Sequence, residues 1–223
     1  MKKFIFVITI ISFLIGNLAY SKDVNLQSFI QETQKMSQGQ QSFRLIWWIP
    51  TEYWKEAFKN EANMTQNQKE AFYDAVDGYT VLSVIDAKTT DLGSIVPFPK
   101  EEILSRISLS VEQNKKMLPL SDDELTSDAK NLFAMMKPLM ANMLGQFGQG
   151  MEFICFKGTD STGARLLNPK LEKSFAVNYA GLSYKWRLPL GSLLPAKYDS
   201  LTGEEFPGNY IYNPFTGNKL VEK

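Results

Sequence analysis

Two groups of side chains are suited to recognition or metal chemistry. Trp47, Trp48, Tyr53 and Trp54 crowd flat rings on either side of Pro50, and such rings join apolar area to a polar edge, so they stack on sugars, peptides or lipids. Neighbouring strand residues point to opposite faces. Trp47 is therefore assigned to the core, while Trp48, Tyr53 and Trp54, which can meet where the strand ends, are the candidate ligand-binding residues. Met136, Met140 and Met143 recur on one helical face. Thioethers at that spacing suit a soft Cu(I) ion, but Leu132, Leu139 and Phe147 share the face, and a mixed stripe is a core stripe or a partner groove. The three methionines are the candidate partner groove, and no metal or cofactor is expected.

Acid–base and nucleophilic chemistry find little to work with. The chain has no histidine, which removes Ser-His-Asp and Cys-His nucleophiles, imidazole acid–base catalysis and imidazole zinc sites. Asp122, Asp123 and Glu124 complement a helix start, and Asp86 and Asp91 flank a turn. A glycosidase needs two carboxyls held across a cleft, and nothing in the spacing pairs any two of these. No nucleophile-elbow, P-loop or dinucleotide motif is present. No catalytic residue is assigned. Cys155, the single cysteine, sits inside Glu152-Phe153-Ile154-Cys155-Phe156-Lys157, where a thiol acts as a small buried hydrophobe.

The elements that must position these groups follow from periodicity and turn chemistry. Residues 23–41 are glutamine-rich with Leu26, Phe29, Ile30, Thr33 and Met36 near helical spacing, which predicts a first helix. Residues 41–49 alternate as a strand covered on both faces, and Pro50 stops it. Thr51 opens a short helix. Thr65 with Gln68 forms a capping box for another that runs through Val76. Residues 79–87 and 94–98 predict a hairpin, and residues 106–111 and 116–120 a second one after a helical turn at 101–104. Ser121 and Glu124 form a further capping box, opening a helix to about Leu144 that Pro138 should kink. Strands at 174–179 and 182–188 close the series. Hairpins outnumber crossovers, so the fold class is α+β, with a mainly antiparallel sheet and helices packed on one side; a β-sandwich with helical insertions is the alternative.

The last thirty residues repeat a turn, Asp199-Ser200-Leu201-Thr202-Gly203 and Asn213-Pro214-Phe215-Thr216-Gly217, followed by Leu220. Over residues 197–220 this spacing resembles the two knuckles of a zinc ribbon, in which each knuckle supplies Cys-x-x-Cys-Gly. Here the ligand positions hold Asp199, Thr202, Asn213 and Thr216, a set unable to hold zinc as four thiolates do. The resemblance implies a metal-free double turn closed by Asx-type bonds and left-handed glycine. Coincidence of turn chemistry and a hard-cation site are the alternatives.

Lys2, Lys3, the apolar run Phe4 to Ile15 and the small residues near Ala19 and Ser21 read as a signal peptide over 1–21. The expected division is a leader at 1–21, a main α+β domain at 22–190 and a C-terminal double-turn tail at 191–223. Lysine plus arginine and aspartate plus glutamate each number 24, so the charge points to neither nucleic acid nor anionic lipid. The reading is an exported soluble protein, periplasmic or extracellular and without stable membrane insertion. It acts by binding a protein or glycan partner, and a histidine-free carboxylate hydrolase is the alternative.

Overall fold

The computed structural model describes residues 24–39, 41–91, 94–111 and 115–222. The expected leader, 1–21, lies outside the described residues.

Helix α1 (Leu26–Thr33) starts where the Asn25 side chain accepts a hydrogen bond from Ser28 N–H, which satisfies one of the orphan donors of a helix start. It stops earlier than its periodicity predicts. From Gln34 the chain extends into β1 (Gln34–Gly39), which pairs antiparallel with β2 (Ser42–Trp48). The reason is tertiary. Thr33 at the junction accepts from Trp47 Nε1 at 3.1 Å and, through its carbonyl, from Trp186 Nε1 at 3.2 Å. Ser37 then shares a hydrogen bond with Tyr184 at 2.7 Å. These partners come from distant parts of the chain, so local spacing carries no trace of them. Met36, counted toward a helical face, is exposed instead.

Pro50 ends β2, and α2 (Thr51–Ala57) turns back over the sheet. Helix α3 (Gln66–Asp77) opens with both halves of the predicted Thr65–Gln68 capping box. The central strand β3 (Tyr79–Thr89) pairs with β2 on one edge. Its other edge is shared by β4 (Ile95–Pro97), opposite residues 87–89, and β7 (Met151–Lys157), opposite residues 79–85. A second antiparallel sheet runs β6 (Lys115–Met117), β5 (Ile107–Val111), β8 (Lys173–Tyr179), β9 (Leu182–Leu188). Helix α4 (Lys100–Arg106) links β4 to β5, and α5 (Ser127–Met143) precedes β7. The Ser121–Glu124 box is formed, but it caps a short 3-10 turn; α5 has its own cap at Thr126 and continues through Pro138.

The fold is α+β with antiparallel sheets, as the hairpin pattern predicts. The strands divide into two stacked sheets. Trp48 meets Phe175 edge-on at 4.8 Å between ring centres, and Asp86 bonds Tyr179 across the same gap. On the opposite face of the larger sheet, Trp47 packs on Tyr53 of α2 and Phe153 on Phe133 of α5. The fold thus joins helices on one face of a sheet to the stacked sheets of the alternative.

The chain after β9 folds onto a seat formed by residues 189–195. Glu32 of α1 fixes that seat, accepting from Gly191 N–H at 2.8 Å and from Ser192 N–H at 2.9 Å. Asn209 donates back to Pro189 C=O at 3.1 Å. Beyond it, β10 (Lys197–Asp199) is flanked by β11 (Glu205–Phe206) and β12 (Leu220–Glu222) in a three-stranded sheet. Phe206 and Leu220 are buried there, outside the main hydrophobic cluster. Among the described residues, no helix is long and apolar enough to cross a membrane.

Candidate functional site in the C-terminal double turn

The two repeated turns close in the same way. Gly203 N–H donates to Asp199 C=O and Gly217 N–H to Asn213 C=O, both at 2.8 Å. Each Asx side chain then accepts from the residue two positions on: Asp199 Oδ1 from Leu201 N–H and Asn213 Oδ1 from Phe215 N–H, both at 2.9 Å. The closing glycines have φ of 74° and 76°, a left-handed conformation that glycine adopts without a Cβ penalty.

Side chains join the turns to each other. Asn213 Nδ2 donates to Asp199 Oδ2 at 2.7 Å, Thr216 Oγ1 to the same oxygen at 3.2 Å, and Asn218 Nδ2 at 3.1 Å. Asp199 is completely buried. The Asn213 bond first, and the Leu201 N–H bond next, bring its carboxyl down to about 2, because hydrogen bonds to the charged form favour ionisation. An ionised carboxylate ringed by donors is therefore the centre of the module. Among the described residues, no group of three or more His, Cys, Asp and Glu is placed to hold a metal ion.

This closure dictates what faces solvent. With the Asx side chains turned inward, the middle residue of each turn is left at the tip. Leu201 is 80% exposed and Phe215 82%. Tyr210, Ile211, Tyr212 and Val221 are exposed in the same stretch. A three-stranded sheet this small cannot cover its own apolar residues. The apolar exposure of the tail is thus concentrated in residues 201–221.

No family model, curated protein or solved structure matches the chain. The assignment of a site rests on geometry alone.

The aromatic residues chosen from sequence occupy a different setting from the one expected. Trp48 is 1% exposed, Tyr53 7% and Trp54 4%, which corrects their assignment as ligand-facing rings. Trp48 lies between the sheets. Tyr53 is enclosed by Phe29, Trp47 and Trp54, and Trp54 by Phe58 and Phe72. Pro50 does place them at the strand end, but α2 and α3 close over that end. Burial pushes the Tyr53 hydroxyl up to about 12.

The methionine groove is likewise corrected. Met136 and Met140 are buried in the core and only Met143 is exposed, so the stripe is filled by this chain's own packing. Cys155 is buried in β7, and burial pushes its thiol up to about 12, far from a reactive thiolate. Asp86 is enclosed by Arg44 Nε at 3.1 Å and Tyr179 Oη at 2.7 Å. Asp122 is bridged to Lys100 at 2.9 Å and Glu152 to Lys137 at 2.5 Å. Each of these carboxylates has a cation as its partner. Sequence reasoning found the two turns but missed their tips. The signal was present, since a hydrophobic residue two positions after an Asx turn residue has nowhere inward to go.

Proposed function

We propose that this is a non-catalytic binding protein whose contact surface is the double turn of the tail and whose partner is another protein. The observation that carries this reading is the exposure of Leu201 and Phe215 at the two tips, with Tyr210, Ile211 and Tyr212 nearby. Aromatic side chains are enriched among the residues of protein interfaces, and Phe215, Tyr210 and Tyr212 supply them here. A glycan platform draws instead on planar rings edged by hydrogen-bonding groups; Tyr210 and Tyr212 have that form, but the most exposed residues, Leu201 and Phe215, and Ile211 offer no hydrogen-bonding edge. The leader pattern at 1–21 supports an exported setting for this binding, with the partner in the envelope or outside the cell.

The test is a Leu201→Ser, Phe215→Ser double variant compared with the unaltered protein by in situ crosslinking in the native envelope. Both positions are exposed, so the melting temperature should stay within about 2 °C, as surface substitutions usually do. The crosslinked partner band should disappear. A band that persists at unaltered intensity defeats the assignment of the tail as the contact surface.

A further inference from the structure

A second site lies on the opposite side of the larger sheet from β1, along the outer edge of β7. Gly158 N–H donates to Gly78 C=O at 2.9 Å, which fixes the antiparallel phase of the β3–β7 ladder. Even-numbered residues of β7 bond toward β3, and odd-numbered residues point their main-chain groups away. On that outer side, Cys155 C=O accepts from Leu120 N–H at 2.8 Å. Beyond this single rung, Phe153 N–H, Phe153 C=O and Cys155 N–H have no hydrogen-bond partner among the described residues.

The open edge faces a cleft of about 340 Å³. Helix α5 forms its far wall through Lys130, Phe133, Ala134 and Lys137, an i, i+3, i+4, i+7 face next to the filled methionine stripe. Leu104 and Leu125 add apolar surface. Three lysines line the cleft against two carboxylates. Lys100 is paired with Asp122 and Lys137 with Glu152, which leaves Lys130 with no ion pair among the described residues.

We propose that this cleft takes an extended peptide segment of a partner protein, which adds as a strand to β7 and carries a carboxylate toward Lys130. Unpaired main-chain groups in a row are satisfied by another strand. Leu120 already occupies the first rung, so an added segment continues a ladder that the chain itself begins. Strands rise about 3.4 Å per residue, so about five peptide residues span positions 151–155. Their alternate side chains meet the wall of α5, and the surplus positive charge selects an acidic segment over a basic one.

A phage-displayed nonapeptide library selected on the full chain tests this directly. Enriched peptides should alternate apolar and polar residues and contain an acidic group. On binding, amide exchange at Phe153 and Cys155 should slow, while Glu152 and Ile154, already bonded to β3, should be unchanged. Ala134→Trp, at an exposed helix position that lines the cleft, should weaken binding by at least about tenfold. Lys130→Glu should weaken the acidic peptides by about tenfold, the loss of one charge-assisted contact. The tail variant Leu201→Ser, Phe215→Ser should bind them unchanged. The proposal is overturned by a lack of enrichment over a blank selection, by peptides that bind Ala134→Trp as well as the unaltered chain, or by exchange protection that falls on the tail instead of β7.

Discussion

Tyr179 Oη donates a 2.7 Å hydrogen bond to Asp86 Oδ2 across the gap between the two sheets. Arg44, the cross-strand neighbour of Asp86, donates to the other oxygen. A fully buried carboxylate is stable only with such partners. Replacing Tyr179 by phenylalanine removes one neutral donor and should cost about 1–3 kcal/mol. Arg44→Met removes the countercharge from a buried carboxylate and should cost about 3–5 kcal/mol. Urea denaturation midpoints rank the two. Equal losses would mean that the guanidinium contributes no more than a neutral donor.

Tyr179 also gives the sheet interface a pH limit. Burial first, then the hydrogen bond to Asp86, raise its pKa above the ordinary 10.0. For a group whose folded-state pKa is raised, the folded state keeps the proton after the unfolded chain has lost it. Its contribution is fully present below pH 10 and is lost as pH climbs above that value. Melting temperatures taken from pH 9 upward should fall more steeply for the unaltered protein than for Tyr179→Phe. Tyr53 and Cys155 leave a residual slope, because both are raised to about 12.

The tail has the opposite dependence. Asp199 titrates at about 2 in the folded state against an ordinary 3.8. A lowered pKa contributes stability above the ordinary value, and that stability is lost as pH falls through the folded one. Amide protection at Leu201 and Phe215, relative to the intrinsic exchange rate, should therefore fall between pH 4 and pH 2, ahead of protection in β3. Asp199→Asn should flatten this window. An unaltered window in that variant would assign the acid sensitivity to some other group.

Gly203→Val and Gly217→Val should each cost about 1–2 kcal/mol, since a β-branched residue is strained at positive φ. The loss should be confined to the tail, whose buried Phe206 and Leu220 stand apart from the main cluster. Exchange rates measured separately for the tail and for β3 check both statements. Asparagine, which tolerates the left-handed region, should be the mildest replacement.

Much of the scaffold was legible because its signals are local. The Thr65–Gln68 box, Pro50 and the repeated Thr-Gly closures act within a few residues of themselves, and each lies where its chemistry predicts. Strand β1 was illegible for the opposite reason. Gln34-Lys35-Met36-Ser37-Gln38-Gly39 has no alternation, and its conformation is set by β2, Tyr184 and Trp186. The aromatic site failed on the same ground: no local pattern near Trp54 announces that Phe72 will cover it. Trp54→Ala should accordingly cost about 3–5 kcal/mol as a core truncation, which thermal unfolding measures. The open edge of β7 was hidden in a run that reads simply as a buried strand.

The Glu32 clip sets a path for mechanical load. Traction on Leu201 or Phe215 reaches the seat at Gly191 and Ser192, whose main-chain donors end on a carboxylate of the first helix. Tension applied to the tail is thus shared between the first helix, through Glu32, and β9, which the chain enters at Leu188. In a single-molecule pull from the C-terminus, α1 and the seat should yield together, and Glu32→Gln should lower the force at which they part.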